Sequence, residues 1–125
     1  MTDPDRRRAL GAEGEARAAR YLEERGWRIL DRNVRAGGVE LDLVAARGGL
    51  VAFVEVKTRR SRRSGAPEEA VDARKRLRLT RGARAWLGTH RPRARRARFD
   101  VLVCETDGAG RWRLRHWENA FDAGE

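Results

Sequence analysis

From Val39 to Ala46 the chain alternates residue by residue. Val39, Leu41, Leu43 and Ala45 fall on one side of an extended segment, and Glu40, Asp42, Val44 and Ala46 on the other, because strand side chains alternate with period two. Gly48-Gly49 follows and suits a two-residue hairpin turn. Leu50 to Val56 reads as the returning strand. A two-residue turn sets the register, so Asp42 is expected opposite Glu55 and Glu40 opposite Lys57. Upstream, helical spacing predicts a helix opened by Asp3-Pro4, running to about Arg25 and stopped by Gly26. Gly11 and Gly14 inside it each cost about 1 kcal/mol relative to alanine and imply close packing. Trp27 to Val34 reads as a short strand.

Downstream, Arg59 to Gly65 reads as a basic loop. Pro67-Glu68-Glu69 is expected to open a second helix that ends near Leu87. Gly88 to Arg96 is a basic connector. Ala97 to Cys104 and Trp112 to Trp117 read as two further strands joined by Asp107-Gly108-Ala109-Gly110. The order is helix, three strands, helix, two strands. It predicts an α/β fold in which helices flank a mixed central sheet of about five strands, and 125 residues suit one domain spanning 1–125.

Charge narrows the partners. The formal net charge is +10. Between Lys57 and Arg98 lie 16 of the 29 basic residues and three of the 19 acidic ones, so the remainder is net negative. A basic middle segment favours a polyanion, nucleic acid first. No stretch approaches the ~18 apolar residues of a membrane span, and the polar N-terminus lacks a signal-peptide core, so a cytoplasmic setting is expected. The single cysteine, Cys104, sits among apolar residues and reads as a buried, inert thiol. His90 and His116 lack ligand spacing.

Candidate chemistry lies on the hairpin. Opposed residues on one face of an antiparallel pair have Cβ atoms about 5 Å apart, so Asp42 and Glu55 would be side by side. Two such carboxylates must share a proton or bind a cation, and Mg²⁺ or Mn²⁺ fits two carboxylates plus water and phosphate oxygens. Only two of the 29 basic residues are lysines. One, Lys57, lies one step beyond Glu55 on the same face and can reach a water or phosphate oxygen. The other, Lys75, shares a helical face with Val71, Leu79, Gly82 and Trp86 and is expected to point inward. Glu15 lies on the stripe of Ala18, Ala19 and Leu22, whereas Glu13 meets Arg17 and Arg20 and is expected to be solvated. Asp100 is read as a structural hydrogen-bond partner of Arg98. The bland alternative for Glu55 and Lys57 is an ion pair on an exposed sheet face, and a one-residue slip would turn Asp42 away.

The chain resembles the bacterial YraN family of uncharacterised proteins within the PD-(D/E)XK nuclease-like superfamily. The resemblance rests on Gly11-Ala12-Glu13-Gly14-Glu15, Gly26 to Arg35, Glu40-Leu41-Asp42-Leu43-Val44, Phe53 to Arg59, Ala70-Val71-Asp72 leading to Lys75, Arg98-Phe99-Asp100-Val101 and Asn119-Ala120-Phe121. Val39 stands where that family usually has glycine. The resemblance implies a restriction-endonuclease-like fold similar to archaeal Holliday-junction resolvases. It also implies a site of Glu15, Asp42, Glu55 and Lys57, with the Val56 carbonyl as a further metal ligand. The expected activity is divalent-metal-dependent cleavage of DNA, branched or structured DNA included. Arg59, Arg60, Arg62, Arg63, Lys75 and Arg78 are the expected phosphate contacts. Resolvase-like action would require two active sites and hence a homodimer, for which the sequence carries no signature. Two rivals stand beside this reading: a non-catalytic nucleic-acid-binding module with the same fold and basic face, and a protein-interacting scaffold.

Overall fold

The computed structural model describes residues 4–60, 72–107 and 109–121. Seven elements follow in the predicted order: α1 (Pro4–Glu24), β1 (Arg28–Ala36), β2 (Val39–Arg47), β3 (Leu50–Arg60), α2 (Ala73–His90), β4 (Arg96–Thr106) and β5 (Trp112–Phe121). The strands form one sheet in the order β1-β2-β3-β4-β5. β3 and β4 are parallel and every other neighbouring pair is antiparallel. The parallel pair requires a crossover, which contains α2.

Each helix covers one face. Leu79, Ala83 and Trp86 of α2 pack on Val51, Phe53, Phe99, Val101 and Val103. Ala18, Ala19 and Leu22 of α1 pack on Ala52, Val54, Leu102 and Cys104. The central strands are thus buried on both sides and read as nearly continuous apolar runs, as strands covered on both faces do. Among the described residues no helix is long and apolar enough to cross a membrane. Cys104 is fully buried, and burial pushes its thiol up to about 12 against a smaller opposing effect from Arg17.

Two glycines set how closely the helices approach. A Cβ on Gly14 would lie 2.0 Å from Thr58 Oγ1, 2.7 Å from its Cγ2 and 2.9 Å from its Cβ, so α1 crosses β3 nearly backbone to side chain. A Cβ on Gly82 would meet Val39 Cβ at 3.1 Å and Leu41 Cδ2 at 3.2 Å. The buried Val39 therefore packs against Gly82, a position of α2 that has no side chain. Gly11, by contrast, has nothing within 4 Å of such a Cβ, so close packing accounts for only one of the two glycines of α1.

Several boundaries differ from the sequence reading. α2 begins after Asp72, whose extended backbone (φ −80°, ψ 179°) makes it the N-cap; its carboxylate accepts the Lys75 N–H at 2.9 Å. A helix continuous from Pro67 is thereby excluded, and residues 61–71, with Pro67-Glu68-Glu69 among them, lie outside the described residues, as does Asp3. At its far end α2 runs through Gly88 to His90, and Arg91 closes it at φ 46°. Pro92 explains the later stop, because the residue before proline is pushed out of the α region. β3 continues to Arg60 because its parallel pairing with β4 persists to Arg60↔Thr106, so Arg59 and Arg60 belong to a strand and not to a loop. β5 likewise extends to Phe121, which pairs with Phe99.

Candidate functional site at the parting of two strands

The hairpin register is the expected one: Arg47↔Leu50, Ala46↔Val51, Ala45↔Ala52, Val44↔Phe53 and Leu43↔Val54. The ladder stops there. Neither the expected Asp42–Glu55 pairing nor the expected Glu40–Lys57 pairing forms as a rung of the ladder, because β2 leaves β3 beyond Leu43; Asp42 and Glu55 instead line one cleft beyond the last paired residues. Strict alternation of β2 fails at the same point. Val39 and Leu41 join Val44 in the cluster under α2, while Leu43 and Ala45 lie in the cluster under α1. The side-chain phase therefore flips at Asp42. On β1, Asn33 lies between the partners of Leu43 and Leu41 and has φ 45°, a left-handed backbone that asparagine tolerates better than most residues. Both strands twist at one level, and the Asp42 carboxylate closes the resulting gap. Its Oδ2 accepts the Val56 N–H at 2.9 Å. A side chain thus takes the acceptor role that a ladder carbonyl would otherwise fill.

Glu55 follows the last ladder pair on β3. It shares the α2-facing side with Phe53, and its parallel partner is Val101 of the same cluster. Its side chain is 13% exposed and meets the Lys75 ammonium at 2.5 Å. Lys75 reaches it because it lies on the buried stripe of α2, one and two turns before Leu79 and Gly82. Val39, Glu40, Asp42, Glu55, Lys75, Arg78 and Leu79 line one cleft.

The Asp42 carboxyl is raised from 3.8 to about 7. Burial is the largest cause, and the negative charge of Glu55 comes next. The Val56 N–H opposes the shift, Glu15 adds to it, and Lys75 opposes it. Glu15 is half-buried on α1, beside the Gly14 crossing, and so lies within electrostatic reach of Asp42. Two half-buried acids with a third nearby and one ammonium between them form a site short of positive charge. A divalent cation fits that deficit. Among the described residues no three His, Cys, Asp or Glu side chains lie close enough to hold an ion as a group. The carboxylates that come together here are a pair, Asp42 and Glu55.

The remaining expected residues divide. Lys57 is exposed and projects from the same side of β3 as Glu55. Arg59, next along that side, is tied to the buried Glu105 at 3.1 Å, and Arg115 reaches the same oxygen at 3.4 Å. Arg60 and Arg78 are exposed, and Arg62 and Arg63 lie outside the described residues. Glu13 pairs with Arg17 on the exposed face of α1, as expected.

Asp100 is the structural partner anticipated for Arg98, and it does more than the sequence suggested. It is 1% exposed and accepts from Arg98 at 2.9 and 3.2 Å, from His116 Nε2 at 2.7 Å and from the Asn119 N–H at 2.9 Å. Burial alone would raise its carboxyl. The His116, Arg98 and Asn119 hydrogen bonds outweigh burial and hold it below the usual 3.8. His116 and Asn119 were missed because they come from β5, and nothing local couples them to Asp100.

A mixed five-stranded sheet between two helices, with a carboxylate pair and a lysine where two strands part, defines an α/β protein with an acidic, lysine-bordered site. The chain belongs to the uncharacterised protein family UPF0102, whose model matches residues 14–104. It is 46% identical over 115 residues to a UPF0102 protein of Trichlorobacter lovleyi, covering 91% of each chain. It is 47% identical over 116 residues to one of Symbiobacterium thermophilum, covering 93% of this chain and 98% of the relative. A third, from Anaeromyxobacter dehalogenans, is 48% identical over 120 residues, covering 96% and 89%.

Proposed function

We propose that the protein is a divalent-metal-dependent endonuclease of the PD-(D/E)XK kind, acting on DNA and selecting it by shape. The observation that carries this reading is the Asp42–Glu55 pair, with the Asp42 carboxyl pushed up to about 7 by burial and by its neighbour. An arrangement that disfavours its own ionisation gains most from a cation. In this reading Asp42 and Glu55 hold Mg²⁺ or Mn²⁺, with Glu15 orienting the ion's water and the Val56 carbonyl as a further ligand. The bound ion would supply a more acidic water and offset charge on the phosphoryl group. Lys57, exposed beside Glu55, orients the attacking water and bears on the developing phosphoryl charge. Arg60 and Arg78, joined by Arg62 and Arg63, contact backbone phosphates, which carry affinity but no sequence information. Arg59 is a weaker candidate because Glu105 already holds its guanidinium.

The test is nicking of linear, flap, four-way and plasmid DNA across a Mg²⁺ and Mn²⁺ titration. Asp42→Asn and Lys57→Ala are expected to abolish cleavage, and wild-type cleavage by either variant would sink the assignment. A second reading, a non-catalytic nucleic-acid-binding module, is favoured by Lys75, which already neutralises Glu55. It predicts salt-dependent binding that is indifferent to metal and to Asp42→Asn.

A further inference from the structure

Lys75 meets Glu55 on the side of the cleft where Asp42 and Glu55 would meet an ion. Glu55 is mostly buried and needs a cationic partner when no metal is present. Lys75 provides it. Its backbone is pinned, since Asp72 accepts its N–H at the first turn of α2. Its side chain is not: 43% of it is exposed, on the rim of a cleft shared with Glu40 and Arg78. The choice of residue matters. The chain uses arginine for all but two of its 29 basic positions, yet keeps a lysine here. An arginine fork would grip a carboxylate with two parallel hydrogen bonds, whereas an ammonium on a flexible stem is a point charge that can leave.

We propose that the Lys75 ammonium is an internal counter-ion that holds Glu55 in the metal-free protein, is displaced by the divalent ion, and then moves to a phosphate oxygen of the nucleic acid. The proposal rests on the reading of Asp42 and Glu55 as metal ligands. Its physical basis is exclusion: two cations on one small carboxylate repel each other, so the ion and the ammonium compete. Competition lowers metal affinity in the absence of nucleic acid. A phosphate that draws Lys75 away removes that competition, so metal and nucleic acid bind with positive coupling, and each raises the other's affinity by the same factor. The acids then receive their ion chiefly when a substrate is present.

The experiment is a Mn²⁺ titration of the full chain without nucleic acid, followed by the spectroscopic signal of free Mn²⁺. It is repeated with a saturating four-way DNA at fixed ionic strength. Lys75→Met keeps the apolar stem and removes the charge; it should bind Mn²⁺ about tenfold more tightly than wild type and lose most of the coupling to DNA. Its DNA binding should weaken, so the two affinities move in opposite directions, which a merely structural role would not produce. Lys75→Arg should bind Mn²⁺ no more tightly than wild type. Arg78→Met, which removes a cation of the same cleft that does not touch Glu55, should change Mn²⁺ affinity less than twofold. Should Lys75→Met fail to fold by circular dichroism, Lys75→Gln takes its place. Unchanged or weaker Mn²⁺ binding in the charge-removed variant overturns the proposal, as does an equal gain in Arg78→Met. If Asp42→Asn binds Mn²⁺ as wild type does, or nothing binds it, the metal-site reading fails and takes the counter-ion with it. If Asp42→Asn is weak but charge removal at Lys75 has no effect, only the counter-ion fails.

Discussion

At the scale of single residues, Asp42 has three tasks. It completes the backbone hydrogen bonding where β2 leaves β3, it faces Glu55, and it carries a charge the site disfavours. The consequence for stability has a definite sign. A carboxyl raised from 3.8 to about 7 binds more protons in the folded chain than in the unfolded one between those values. Stability is therefore highest below that window, falls as pH rises through it, and is flat above it. Urea unfolding in metal-free buffer should find wild type losing on the order of 2 kcal/mol more than Asp42→Asn between about pH 5 and pH 8, the partial exposure of the group included. Mg²⁺ should raise the melting temperature of wild type more at the upper pH, where the ligand is ionised, and leave Asp42→Asn unmoved. Equal pH slopes in the two proteins would remove the charge argument from the site.

Asp100 has the opposite sign. Its carboxyl is held low, so the stability it contributes is present above the unfolded value of 3.8 and is lost as pH falls through the lower folded value. Asp100→Ala would take from His116 and Arg98 their shared buried carboxylate, leaving Arg98 only the exposed Glu118 at 3.6 Å, and should cost about 3 kcal/mol at neutral pH, a gap that narrows in acid. Denaturant midpoints at several pH values read both effects.

At the scale of elements, the site depends on how near two helices come to the sheet. Gly14 lets α1 cross β3 at Thr58, which brings Glu15 to the acids. Gly14→Ala should destabilise the fold by about 2 kcal/mol. Rotating the threonine cannot relieve it, because Thr58 Cβ itself would lie 2.9 Å from the new methyl. Thr58→Gly in the same chain should recover part of the loss, and a thermal-melt double-mutant cycle measures the coupling. Gly82 plays the same part for α2, seating it on Val39 and Leu41 so that Lys75 meets Glu55. Its contacts are looser, at 3.1 and 3.2 Å, so Gly82→Ala should cost less stability than Gly14→Ala.

Element order was legible along the chain because each segment announces itself locally: periodic apolar positions, a Gly48-Gly49 turn, a proline or glycine at an end. The misplaced boundaries were those decided from a distance. β3 gained Arg59 and Arg60 because β4 was there to pair with them. The start of α2 was read at Pro67, and the capping carboxylate proved to be Asp72, an equally lawful N-cap further along.

For the molecule as a whole, charge and topology act together. The basic segment from Lys57 to Arg98 includes the end of β3 and all of α2, the elements that carry Glu55, Lys57 and Lys75. A polyanion drawn to that segment is brought to the acids. Binding to DNA should fall steeply with salt, and each phosphate-contacting arginine removed should lower the slope of log affinity against log salt by roughly one, which a fluorescence-anisotropy series measures. A slope unaffected by Arg60→Ala and Arg78→Ala together would move the nucleic-acid surface elsewhere.

By itself the sequence determined the order of the elements, the hairpin register from the turn to Leu43↔Val54, the helical phase that set Glu15 and Lys75 on the half-buried sides of their helices, and the concentration of positive charge. These are properties of neighbours along a chain, and short-range sterics and periodicity govern them. Only the tertiary structure decided that β2 and β3 part at Asp42, that its side chain stands in for a backbone carbonyl, that Lys75 closes on Glu55, and that Asp100 gathers partners from β5. Those outcomes depend on which distant groups are left to satisfy each other once two helices are packed against a single twisted sheet, and desolvation makes each such pairing count.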